Sequence, residues 1–459
     1  MSEVLANARD VAVLALRDRD GNVTANLSGR LERAGLSRAD AALARELALG
    51  VTRRRETLQA VLRSYLARPD RRPPGVLPEI LQVGLYQLLF LDRVPAFAAV
   101  NEAVEQAGRF RHKRQSGLVN GVLRSVARGV SQARPGAVPA ACNVVPCGAG
   151  SYRELSKPAF PDPSRKPAEY LAAAYSLPLA LAERWLAAAG DLAPAAALAA
   201  HADARAPLIL RVDTRQGDVA SVLAELSAEG VAGRAHDNGK SIVLDGWCDV
   251  TALGAFRRGA VQPQDPTATA VGLLAEPKPG MKVLDFCAAP GTKTTHLAEQ
   301  MNNEGAIVAL DVSQEKLDRI AENCERMSAG IVTTQLAGQA GGLEIGGFDV
   351  VLADVPCTNT GVLARRAEAR WRFSEEAVSQ AVRDQKQLLR AAGQFVRGGG
   401  RLVYSTCSME PEEGPQVARW YERSDPRMRC RRQVVTTPAG AGEPTAWRDG
   451  GYMALFEAE

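Results

Sequence analysis

A chain of 459 residues, 46% hydrophobic and 24% charged, is long enough for two or three packed cores and too rich in apolar residues to be disordered. No apolar run reaches the length of a membrane span, and Met1 to Gly21 is broken by charges every few positions. The 8 cysteines lie at irregular spacings without a Cys-x-x-Cys, beside only 4 histidines, which gives no pattern for a disulfide framework or a metal site. The expectation is a cytoplasmic protein with no membrane and no metal partner, a monomer by default.

The formal charge of +4 is unevenly spread: Met1 to Arg128 holds 21 Lys plus Arg against 13 Asp plus Glu, a net of +8 that leaves −4 for the rest. Within 1–128, the stretches Val4 to Leu16, Arg38 to Gly50, Thr52 to Ala67, Leu77 to Leu91, Ala98 to Ala107 and Gly117 to Arg128 repeat apolar residues three or four apart. They predict a bundle of six helices, with Leu81, Leu85, Leu88 and Leu89 in its core. The basic clusters Arg53-Arg54-Arg55, Arg71-Arg72 and Arg109 to Arg114 suit phosphate contacts, and suit a solvated helix face equally well.

From 129 to 168 the texture turns to Pro, Ala, Gly and Ser without periodicity, which reads as a linker. Residues 169–260 read as a small α+β module. It has a helix over Glu169 to Ala189, a strand over Pro207 to Thr214, a helix over Asp218 to Glu229 and a strand over Ser241 to Leu244.

Residues 261–459 alternate strands with helices, which implies an α/β domain with a parallel sheet whose ligands gather at the strands' carboxyl ends. VLDFCAAPGTKTTHLA, Val283 to Ala298, is a strand ending on Asp285, a Pro-Gly turn and a helix. Small residues there let a ligand approach the backbone. Alone, these residues suit a cofactor pocket and an ordinary turn equally. The strand Ala306 to Ser313 places Asp311 where an acid takes ribose hydroxyls, although a capping Asp is common there too. Phe348 to Asp354 ends on an acid followed by Val355-Pro356-Cys357, and the strand Arg401 to Ser405 runs into Thr406-Cys407-Ser408. Both cysteines are candidate nucleophiles, and the residues alone leave them unranked.

CAAPGTKT, ALDVS, DVPCTNTG and YSTCS, in this order, resemble the motifs of the RNA cytosine-5 methyltransferases of the Nol1/Nop2/Sun family. VPAFAAVNEAVEQAG followed by GLVNGVLRSV is similar to the antitermination-factor-like (NusB-like) helical domain of its Sun (RsmB) branch. The likeness covers nearly everything except the linker. It implies an N-terminal NusB-like bundle, a small α+β module that helps hold RNA, with only Arg211 and Arg215 hinting at that in this sequence, and a C-terminal Rossmann-like domain that takes S-adenosylmethionine and makes 5-methylcytosine in small-subunit ribosomal RNA.

By the resemblance, Cys407 is the nucleophile at carbon 6 and Cys357 assists breakdown of the adduct. Asp354 would hold the cytosine edge, donating a proton if its burial raised its pKa, and Lys293 would bring a cation near the base or thiolate. The cofactor would meet Cys287, Ala288, Ala289, Pro290, Gly291, Lys293, Asp311 and Asp354. Two departures from the pattern bear on the cofactor: Thr292 replaces a usual second Gly, which threatens the turn because Thr disfavours positive φ, and Leu336-Ala337-Gly338 offers no acid for the adenine. A methyltransferase of transfer RNA or another RNA, and a catalytically silent RNA-binding or ribosome-assembly factor, are the alternatives.

Overall fold

The computed structural model describes residues 7–17, 23–148 and 150–459, and it divides into two units. One unit joins 1–204 to 366–373; the other joins 205–365 to 374–459. Among the described residues no helix is long and apolar enough to cross a membrane, and no cluster of His, Cys, Asp or Glu is placed to hold a metal ion.

The first unit opens with α1 (Ala8–Arg17), α2 (Val23–Ala34), α3 (Arg38–Arg53), α4 (Arg55–Tyr65), α5 (Leu77–Phe90), α6 (Ala96–Arg109) and α7 (Ser116–Gly129). The start expected at Val4 lies outside the described residues. α5 is buried on nearly every side, as its almost unbroken apolar sequence requires, and the other helices turn one stripe inward. The sequence pattern does not show α2, which buries only Val23, Leu27 and Arg30 and is otherwise Thr, Asn, Ser and Gly rich.

Two basic clusters are partly consumed inside this unit. Arg54 is buried, ion-paired to Asp203 at 2.7 Å and stacked 4.8 Å over the Phe90 ring. Arg109 is held by Asp10 at 3.1 Å and by Glu102 at 2.5 Å. These guanidiniums are therefore internal ties, and two of their acids, Asp203 and Asp10, come from elements that local sequence does not place beside them.

The expected linker is structured. It carries an antiparallel sheet of β1 (Arg134–Pro135), β2 (Val144–Gly148) and β3 (Ser151–Glu154), ordered β1-β3-β2. Val144, Val145 and Leu155 are buried, and the Arg153 guanidinium donates to the Leu89 and Ser131 carbonyls at 3.0 and 2.9 Å. Next come α8 (Pro167–Ala174), α9 (Leu179–Ala189) and α10 (Leu192–Asp203), also in the first unit, so its edge at Ala204 falls well inside the predicted 169–260 module. Residues 366–373 complete the unit. The fully buried Arg370 donates to Asp203 at 2.7 Å and to the Arg53 and Ser176 carbonyls at 3.0 Å, while Trp371 Nε1 donates to the Thr52 carbonyl at 2.9 Å.

The second unit begins with β4 (Ile209–Val212), α11 (Val219–Ala228), β5 (Gly233–Ala235), β6 (Ser241–Leu244), α12 (Gly254–Arg257) and β7 (Val261–Pro263). Their four strands form an antiparallel sheet ordered β5-β6-β4-β7, so this module runs a few residues past the predicted boundary at 260. Arg211 and Arg215 do not offer themselves to RNA. Arg211 is 1% exposed, paired with Glu299 and bonded to Gln264 at 2.7 Å; Arg215 pairs with Asp213 at 2.6 Å and caps the Met327 carbonyl at 3.0 Å.

Then follow α13 (Pro266–Ala275), β8 (Lys282–Asp285), α14 (Thr292–Gln300), β9 (Ala306–Asp311), α15 (Gln314–Arg326), β10 (Val332–Leu336), β11 (Phe348–Asp354), α16 (Glu375–Gly393), β12 (Val396–Thr406), α17 (Pro415–Ser424), β13 (Met428–Thr436) and β14 (Gly451–Ala458). The sheet order is β10-β9-β8-β11-β12-β14-β13, with β10, β9, β8, β11 and β12 parallel and β14 antiparallel to both neighbours. Val283, Ile307, Val350 and Val403 pack on one face, and Leu284, Leu310, Val351 and Leu402 on the other. A sheet buried on both faces needs strands apolar throughout, which is why these read as nearly continuous hydrophobic runs. The chain steps outward from β8 to β10 and returns to β11, so the strand order reverses between β8 and β11, where ligands settle in open α/β sheets.

Candidate active site

At the reversal, β8 ends on Asp285 and the chain turns through Phe286 to Gly291 into α14. Gly291 holds φ +96 and caps the helix, and a Cβ there would lie 3.2 Å from the Ile320 Cα. Only glycine suits both constraints. Thr292 is already the first residue of α14, so it needs no positive φ, and the distortion expected from it does not arise. The turn is tied to β9: Ala288 N donates to the Leu310 carbonyl at 2.9 Å, and Ala289 N to Asp311 Oδ2 at 3.0 Å.

Asp311 also accepts from Val312 N at 2.7 Å and Lys316 Nζ at 2.8 Å. Burial opposes its charge, but Lys316 and the two amides outweigh that and hold the carboxyl below its ordinary range. Asp285 is enclosed: one oxygen accepts from Thr294 Oγ1 at 2.7 Å, and Oδ1 has no hydrogen-bond partner among the described residues. Burial pushes this carboxyl up to about 7, against the pull of the Thr294 bond. Burial likewise pushes the Cys287 thiol up to about 12, which leaves this residue no nucleophilic role. Beyond β10, Ala337–Gly342 form a 3-10 turn without a carboxylate, as the sequence requires.

Across the reversal, β11 and β12 pair in parallel with Asp354 opposite Ser405, so their side chains emerge on one face. Asp354 Oδ2 accepts from Lys293 Nζ at 2.6 Å and Oδ1 from Ser405 Oγ at 2.5 Å. Both Asp354 oxygens thus accept hydrogen bonds within the protein. Burial works against the Lys293 charge, but Asp354 outweighs it, with Cys407 adding, and the ammonium is held above its ordinary pKa.

The two candidate cysteines meet: Cys357 Sγ and Cys407 Sγ are 3.2 Å apart, and Cys407 Sγ also lies 3.3 Å from Asn359 Oδ1. The bond to Cys407, then burial, then the charges of Cys407 and Glu413 drive the Cys357 thiol well above its usual pKa.

Lys293, Asp354, Cys357 and Cys407 therefore stand together, with Asp311 and the Cys287–Gly291 turn on the adjoining strands. The sequence reading missed Ser405 and Asn359. Asn359 had a faint signal, since Asn is one of the few residues that tolerate φ +63 and it follows the Pro-Cys turn.

Residues 272–442 match the family described as 16S rRNA methyltransferase RsmB/F, residues 6–128 the NusB family, and residues 177–251 the ferredoxin-like domain of RsmF/B-like methyltransferases. The chain is 33% identical over 442 residues to the probable ribosomal RNA small subunit methyltransferase B of Synechocystis, covering 92% of each protein. The Bacillus subtilis protein of the same name is 31% identical over 431 residues, covering 92% of this chain and 89% of that one. A methyltransferase homolog from Pyrococcus horikoshii superposes with a TM-score of 0.53 at 24% identity, over 63% of this chain and 98% of that one, and shares the fold.

Proposed function

Because this chain belongs to the family of ribosomal RNA small subunit methyltransferase B, we propose that it methylates carbon 5 of a cytosine in small-subunit (16S) ribosomal RNA, using S-adenosylmethionine and a covalent adduct with Cys407. The observation that carries this reading is the pair of strand-end thiols 3.2 Å apart beside the Lys293–Asp354 ion pair. Carbon 5 of cytosine is too weak a nucleophile to take a methyl group unaided, and a thiolate bonded to carbon 6 corrects that.

The residues present fit the cofactor. The Gly291 cradle leaves backbone open where a Cβ would close it, Asp311 offers a carboxylate at the end of the second strand, and the unpartnered Asp285 Oδ1 is an acceptor awaiting a donor. Cys287, Ala288, Ala289, Pro290 and Gly291 would hold it through their backbone, with Asp311 on the ribose. When bound, S-adenosylmethionine supplies an electrophilic methyl group to the activated carbon.

In this reading Cys407 adds as thiolate to carbon 6, and the π pair of the ring moves to carbon 5. Lys293 and Asp354 hold the cytosine edge, the ammonium as donor and the carboxylate as acceptor. With Cys407 bonded to the base, Cys357 loses two of the influences that held its proton, the hydrogen bond and the Cys407 charge, and yields that proton to solvent to become a thiolate. It then serves as the base that removes the proton from carbon 5; the electron pair reforms the ring double bond as the sulfur–carbon bond breaks, and Cys407 leaves as thiolate. The base must leave any stack to reach the sheet edge. The helical first unit would grip the RNA, and the work belongs where ribosomal RNA is, in the cytoplasm.

The acid-free 3-10 turn after β10 favours one other reading, a silent RNA-binding factor. Incubation with small-subunit ribosomal RNA and methyl-labelled S-adenosylmethionine, followed by digestion to nucleosides, separates the two. Label in 5-methylcytosine is expected. Absence of label on both free and particle-bound RNA, with folded protein, would favour the silent factor.

A further inference from the structure

Behind the two thiols lies a carboxylate that the reaction as described does not use. Glu413 is fully buried, yet among the described residues no lysine or arginine hydrogen-bonds to it. Its Oε1 accepts from Thr358 Oγ1 and from Ser408 Oγ at 2.7 Å. Its Oε2 accepts from Thr358 N at 3.0 Å and Gln385 Nε2 at 2.8 Å. Thr358 is the neighbour of Cys357 and Ser408 the neighbour of Cys407, so one side chain ties together the residues next to both thiols, 50 positions apart in sequence. Gln385 bonds the Pro356 carbonyl at 3.0 Å as well, and the Tyr404 hydroxyl donates to the Glu413 main-chain carbonyl at 2.6 Å, so α16 holds the side chain and β12 the backbone of Glu413.

An ionised carboxylate is costly to bury, and a site that needed only filling would be served by an apolar or neutral side chain. What a carboxylate alone provides is acceptor capacity on both oxygens for four donors at once. We propose that Glu413 is a positioning residue that holds the Cys357 and Cys407 thiols in register, so that one adds to the cytosine and the other resolves the adduct. This rests on the reading above for its consequence in turnover. Its charge has a second effect: Cys407 and Glu413 both push the Cys357 thiol up, Cys357 in turn pushes up the Tyr404 hydroxyl, and the negative Glu413 helps keep the Cys357 thiol protonated.

The test compares Glu413→Gln and Glu413→Ala with the unaltered full chain. A glutamine can turn its carbonyl to the Thr358 and Gln385 N–H donors and its NH₂ to the two hydroxyls, which can rotate to accept, so it keeps the shape and removes the charge. Both variants should bind S-adenosylmethionine as the unaltered chain does. For Glu413→Ala, kcat should fall about 100-fold with KM for RNA little changed, the mark of misplaced reacting groups. In Glu413→Gln, iodoacetamide alkylation of Cys357, followed by mass spectrometry without RNA, should set in at lower pH.

Should Glu413→Ala fail to fold, Thr358→Val and Ser408→Ala remove its donors one at a time and should each lower kcat in part. Unchanged kcat and an unchanged alkylation profile in folded variants would overturn the proposal. The thiol measurement needs no RNA, so it stands or falls separately from the substrate. A shifted profile in a protein that makes no 5-methylcytosine would uphold the positioning role and sink the proposed reaction.

Discussion

The two sides of the strand reversal are built from different materials. On the β8–β9 side, position is set by the main chain: Gly291 at φ +96, the Ala288 and Ala289 amides on β9, and a carboxylate whose partners include its own neighbour Val312. On the β11–β12 side, position is set by side chains reaching between separate elements, from Lys293 of α14 and Ser405 of β12 to Asp354 and from Glu413 to Thr358 and Ser408. A main-chain cradle is suited to hold one invariant ligand. A side-chain network can shift its protons as a covalent bond forms and breaks.

The comparison predicts that the sides fail separately. The largest effect belongs to Cys407→Ala, which should cut methyl transfer by at least ~10³-fold and abolish the covalent RNA adduct, with S-adenosylmethionine affinity intact. Equilibrium binding that weakened in parallel would show that the sides are not independent. Cys357→Ala should instead accumulate protein bound covalently to RNA, seen as a shifted band on a denaturing gel; the division of labour collapses if the two cysteine variants exchange behaviours.

On the cradle side, Gly291→Ala forces an L-residue into the left-handed region against Ile320 and should cost about 1–3 kcal/mol in denaturant unfolding, with weaker cofactor binding and unaltered thiol alkylation. Asp311→Asn should raise the Kd for S-adenosylmethionine by about tenfold, which calorimetry would read directly.

A further effect is one of slope. The folded-state pKa of Asp285 is raised from 3.8 to about 7, so between those values the folded protein binds the extra proton, and stability falls as pH rises through the window before levelling off above it. Asp285→Asn should remove that part of the fall, up to about 1.4 kcal/mol per pH unit. Asp449, also pushed up to about 7, remains in both proteins, so the difference between the two stability curves is the quantity to measure.

What was legible in the sequence follows the same division. The Phe348–Asp354 strand and the residues marking the sheet edge could be read because burial on both faces leaves apolar runs closed by an acid or a turn. β12 starts at Val396 instead of Arg401 because Gly398-Gly399-Gly400 reads as loop, although the chain passes through it as a strand with Gly399 at φ +71. The sheet in 129–168 was hidden by strands of 2, 5 and 4 residues, too short for a period to show. Arg211 misled because charge can be counted from sequence and burial cannot. Glu413 left no trace, since its tie to Thr358 spans 55 positions.

Residues 366–373 carry a consequence for the order in which the protein is made. Arg370 and Asp203 are both fully enclosed in the first unit, and Asp203 otherwise has Arg54 as its ion-pair partner. A ribosome releases the bundle helices early, but it must translate β8 to β11 of the second unit before Arg370 emerges. The unit begun first is thus finished late, and a nascent chain stalled anywhere before Phe373 should expose protease sites around Thr52 and Asp203 that the complete chain conceals.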